Sequence, residues 1–133
     1  MNTNQLIIEE TSLFDFDLTV EKLVAEAERR EWKVPFIHDL QQSLAKSGKK
    51  VNPVKVIEIC KPEYSGKMLE LNDERIISVM MPCRISVYEK EDGKTYIALI
   101  NAGNMTSGMP NNIAGVMKSS ADESLEIIKT VTN

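Results

Sequence analysis

The tetrapeptide Glu91-Asp92-Gly93-Lys94 stands between two runs that alternate in polarity, and it constrains this chain more than any other feature. Asp-Gly is a strong hairpin signal, because the turn needs backbone angles that Gly and Asp tolerate and most residues do not. On the run 82–90, Cys83, Ile85, Val87 and Glu89 share one face, and Arg84, Ser86 and Tyr88 share the other. On the run 94–101, Ile97 and Leu99 oppose Tyr96, Ala98 and Ile100. Any sheet this chain builds therefore contains an antiparallel pair with one apolar face.

The other segments extend that pattern. Leu6, Ile7 and Ile8 lie in a short β-branched run within 5–14, a first strand. Val20, Leu23, Val24 and Ala27 recur at helical spacing opposite Glu21, Lys22, Glu26 and Arg30. With Asp17 and Thr19 as capping residues, this predicts a helix over 19–31. Trp32, Val34 and Phe36 alternate around Pro35, which suits an edge strand because Pro donates no ladder hydrogen bond. Asp39 caps a brief helix holding Leu40 and Leu44, which ends at Ser47-Gly48. Residues 53–60 form the best strand by composition, and 63–72 predict a helix. After the hairpin, a polar loop leads to Pro110 and a final helix over 111–131. Its stripe is Ile113, Val116, Met117, Ala121, Leu125, Ile128 and Val131. No βαβ alternation occurs, so the expected class is α+β: an antiparallel sheet with both long helices on one face.

Composition narrows the function classes. The 133 residues hold 16 Lys+Arg against 20 Asp+Glu, a net charge of −4, with 42% hydrophobic residues. That fits one domain over 1–133 with a core, and it argues against disorder. An acidic chain is a poor nucleic-acid binder, because phosphates demand a positive footprint. No run approaches a membrane span, and the N-terminus carries no secretory pattern, so no membrane association and a cytoplasmic location are expected.

Cys60 and Cys83 are the candidate reactive pair. Their 23-residue spacing matches neither a C-x-x-C redox motif nor a zinc set, and a reducing compartment disfavours a disulfide. Both flank strand ends beside Pro62 and Pro82, where loops present side chains on a rigid frame. They read either as buried small hydrophobes or as thiolates that bind a soft metal or handle sulfur. The chain has seven methionines. Met105 and Met109 lie in a polar loop where core filling does not explain them, and thioethers there could meet copper(I) or a flat apolar ligand such as haem. His38, the only histidine, stands beside Asp39 and reads as a capping or surface residue. Glu9-Glu10 and the acidic run 89–92 read as solvated charge.

The ordered set of short segments resembles the family called domain of unknown function 302. The matching pieces are the helix from Thr19, Ile59-Cys60-Lys61-Pro62, Leu69 to Asp73, Met81-Pro82-Cys83-Arg84, Tyr88-Glu89 to Asp92-Gly93-Lys94, and the long C-terminal helix. The resemblance implies a β-α-β(4)-α fold of the TATA-box-protein-like kind, and no activity. Three readings stand. One is a module binding a small molecule or soft metal through Cys60, Cys83, Met105 and Met109. Another is a thiol- or sulfur-handling enzyme using Cys60 or Cys83. The third is a homodimeric interaction module. Neither a cofactor nor a catalytic residue can be named from the sequence.

Overall fold

The computed structural model describes residues 6–132. Its strands are β1 Ile7–Thr11, β2 Ile37–Asp39, β3 Val54–Ile59, β4 Cys83–Glu89 and β5 Thr95–Ile100. Its helices are α1 Phe16–Arg29, α2 Leu40–Ala45, α3 Pro62–Leu69 and α4 Asn111–Ile128, with 3₁₀ segments at Asp73–Met80 and Ala102–Met105. Among the described residues the strands form one sheet in the order β1-β5-β4-β3-β2, each neighbouring pair antiparallel. With the short helices set aside, the order is β-α-β(4)-α, a mixed α+β fold.

The Asp-Gly turn closes β4 onto β5 as expected. Gly93 has φ +80°, and Asp92 Oδ1 accepts from Lys94 N at 2.9 Å. Register then aligns one apolar face across the sheet: Ile57 with Ile85, Val87 with Ile97, and Ile8 with Leu99, all buried. Val20, Leu23 and Ala27 of α1 and Ile127 and Ile128 of α4 pack into the same cluster, so both long helices cover that face. Each buried Ile or Leu contributes about 1.5–3 kcal/mol relative to exposure. On the opposite face Ile7 and Ile100 are exposed, Tyr88 and Tyr96 stack, and His38 Nε2 lies 2.8 Å from Glu58 Oε2.

Three local expectations are corrected. The first helix starts at Phe16, capped by Asp15, whose Oδ1 accepts from Leu18 N at 2.8 Å. Thr19 is no cap. It lies buried in the first turn, with its hydroxyl 2.6 Å from both Asp15 O and Ser12 Oγ. The edge strand is Ile37–Asp39 rather than the alternating Trp32–Phe36 stretch. Pro35 interrupts the ladder, and only Lys33 bridges to Cys60 upstream of it. Last, α4 ends at Ile128, and Leu125 is half-buried while Ile127 is fully buried.

Candidate functional site

β3 ends at Ile59, the register partner of Cys83 at the start of β4. Cys60 follows, tied to Lys33 by paired backbone hydrogen bonds of 2.7 and 2.9 Å. Pro62 then opens α3, where the missing Pro N–H costs nothing. This abrupt strand-to-helix change breaks the alternation, so Cys60 lines the same cavity as Ile59 and Cys83 instead of facing away with Glu58. After α3, the 3₁₀ segment carries Ile76 and Val79 outward, 81% and 85% exposed, and returns the chain through Met81-Pro82 to Cys83.

Two cavities meet here. One, of about 240 Å³, lies among Trp32, Ile59, Cys60, Tyr64, Met68, Met81 and Cys83. The other, of about 270 Å³, lies among Val79, Met80, Arg84, Ile100, Met105 and Ala121. Pro82, Cys83 and Ser120 line both. A larger groove of about 710 Å³ beside α2 is shallow, and its lining from Asp39 to Asn52 is largely exposed. Ligand sites favour apolar walls with a few converging polar groups, and the paired cavities have that character.

A polar cluster closes one end of the smaller cavity. The Glu123 carboxylate of α4 accepts from Trp32 Nε1 at 2.9 Å, Lys61 Nζ at 2.8 Å and Tyr64 O–H at 2.6 Å. Burial works against the charged carboxylate, but the three donors outweigh it and hold Glu123 below the usual carboxylate range. The same hydrogen bond, assisted by burial, pushes the Tyr64 phenol up to about 12. The cluster pins α3 and the Trp32 turn to α4.

Both thiols are free. Cys60 Sγ lies 3.5 Å from Ser65 Oγ, and Cys83 Sγ lies 3.6 Å from Ser120 Oγ. Burial raises the Cys83 pKa, partly relieved by Ser120, and the nearby Cys60 raises it further. Thus two of the four sequence candidates line one cavity, and Met105 lines its neighbour. Met109 lines neither. It packs against a second apolar cluster of Met68, Ile113 and Met117, because it immediately precedes α4 and lies against its first turn. All six methionines after Met1 gather at this end of the molecule, in cavity walls or in that cluster. Among the described residues, no group of three or more His, Cys, Asp or Glu could hold a metal ion.

His38 lies across the sheet from the cavities, beside Glu58 and 4.6 Å ring to ring from Phe36, while Asp39 caps α2 through Gln42 N. Sequence reading overlooked Trp32, Lys61, Tyr64, Ser120 and Glu123. Only the single tryptophan next to a helix end offered a signal. Glu123 looks like any helix-surface acid until α3 folds against it. Glu9 and Asp92 are not simply solvated: they accept hydrogen bonds from Tyr88 and Tyr96.

The family model for domain of unknown function DUF302 matches residues 8–133. A solved structure, that of the uncharacterized conserved protein DUF302 from Bacillus stearothermophilus, is similar with a TM-score of 0.85 over 96% of this chain and 98% of that one, at 16% sequence identity. At that identity the likeness is one of fold. No curated protein matches the chain.

Proposed function

This chain belongs to the DUF302 family, and we propose that it is a binding module for a small, mainly apolar ligand held in the paired cavities between α3, β4 and α4. The observation that carries this reading is the junction at Pro82, Cys83 and Ser120. There two cavities, each small for a ligand, share three wall residues, and their volumes together fall in the ordinary range for a ligand site. Ser65, Arg84, Ser120 and the two thiols are among the groups that supply polar or polarizable atoms along mainly apolar walls. Binding is favoured over thiol catalysis because no histidine or carboxylate stands among the wall residues to take a proton from either thiol. Burial also holds Cys83 in its protonated form. Among the described residues no helix is long and apolar enough to cross a membrane.

Anilinonaphthalene sulfonate, an anionic aromatic dye whose fluorescence rises in apolar surroundings, tests the reading. The folded chain is expected to bind the dye, and Ser120→Phe, which fills the junction, is expected to abolish binding while circular dichroism stays native. Equal dye binding by both proteins would sink the proposal. Native mass spectrometry of protein isolated gently from its source would then give the mass of the natural occupant.

A further inference from the structure

We propose that Cys60 and Cys83, with a thioether from Met68 or Met81, form a site for a soft monovalent metal ion of the copper(I) type. The inference deepens the ligand-binding reading of the same cavities and rests on it. All four sulfur side chains line the smaller cavity. Register sets Cys60 one residue past Ile59, the antiparallel partner of Cys83, and both thiols line the one cavity.

The donor set selects the ion. A hard cation such as calcium or magnesium needs several oxygen ligands, yet no carboxylate lines this cavity, and Glu123 at its end already accepts from Trp32, Lys61 and Tyr64. Zinc takes four ligands drawn mainly from Cys, His and carboxylates, and two thiols alone do not complete that set. Thiolate with thioether suits copper(I), which needs few ligands and tolerates apolar surroundings. Met80 and Met105 line the adjoining cavity, so further thioethers stand on the approach to Cys83. Binding forms three copper–sulfur bonds, two to thiolates and one to the thioether, and releases both thiol protons to water, with no change of oxidation state.

Copper(I) is offered anaerobically to the full chain against the competing chelator bathocuproine disulfonate. One copper per chain is expected to survive competition, with an ultraviolet sulfur-to-copper charge-transfer band. Cys60→Ser and Cys83→Ser are each expected to abolish retention. The double change Met68→Leu and Met81→Leu keeps the bulk and should weaken binding at least about tenfold, the loss seen when even a supporting group is removed. On the unmodified chain, copper should block alkylation of both thiols, a readout that needs no variant. No retention, one copper shared by two chains, or full retention by Cys60→Ser overturns the site. Dye binding that Ser120→Phe abolishes, with no copper retained, removes the metal site and leaves the cleft reading standing. Copper retention without dye binding does the reverse.

Discussion

Trp32, Lys61 and Tyr64 reach Glu123 from two separate segments, so one carboxylate holds the site's wall together. Glu123→Ala leaves the Lys61 ammonium without its partner at 15% exposure, and it should cost about 1.5–3 kcal/mol in denaturant unfolding. Two titrations follow. The folded state favours the neutral Tyr64 phenol, so this stabilisation is whole below the unfolded value of about 10 and is lost as pH rises through about 12. Glu123 is shifted the other way: its stabilisation is present above the unfolded value of about 4.3 and is lost as pH falls through the lower folded value. NMR titration of the Tyr64 ring should therefore move back toward 10 in Glu123→Gln, and an unmoved titration would mean that the hydrogen bond does not form in solution. For the thiols, burial raises the Cys83 pKa, so iodoacetamide should modify Cys60 first, with peptide mapping as the readout.

At the scale of elements, α1 shows how a cap positions a site. Trp32 N donates to Ala27 O and Glu31 N to Glu28 O, a Schellman closure that turns the chain and sends Trp32 into the core. The turn puts Glu31 at φ 68°, a conformation suited to glycine. Glu31→Gly should therefore raise stability by up to about 1 kcal/mol, since it removes left-handed strain at some cost in chain entropy. Lower thermal stability in that variant would show that the Glu31 side chain matters more than its backbone. In α4, Ile127→Ala should cost about 2–5 kcal/mol and Leu125→Ala distinctly less, because Ile127 is fully buried and Leu125 half-buried. Denaturant midpoints give the ranking, and the reverse order would mean that the α4 stripe is rotated.

Across the whole molecule, stability is uneven. The main cluster unites all the central strands with α1 and α4, whereas the second holds only Met68, Ile113 and Met117 as buried members. The 3₁₀ segment beside it contributes no buried residue. Amide hydrogen exchange should therefore be slowest at Ile85, Val87 and Ile97 and faster by orders of magnitude across Asp73–Met80. Equal protection of the two regions would show them opening only together. If the faster exchange holds, the wall carrying Val79 and Met80 is the part of the cleft that opens most readily to admit a ligand.

Periodicity and turn chemistry were enough to read the sheet's inner face, the Asp92-Gly93 hairpin and the two long helices with their common side, because each depends on spacing within a few residues. They were enough for Asp39 as a cap, but they placed the edge strand too early, on the Trp32–Phe36 stretch instead of Ile37–Asp39. They misjudged Thr19, because the capping oxygen that closes the helix, Asp15, stands a full turn upstream, and Leu125, because a stripe two positions off looks as amphipathic as the right one until a sheet is there to bury it. The sequence marked Cys60, Cys83 and Met105 as chemically unusual but could not bring them together. Their meeting depends on the pairing of Ile59 with Cys83 across a separation of 24 residues, and on α3 folding back over that edge. Met109 and Glu123 were decided only there too: one packs, partly buried, against the Ile113 cluster, and docking of Tyr64 and Lys61 makes the other a half-buried acceptor. Local spacing determines what an element is, whereas long-range packing determines which elements share a cavity.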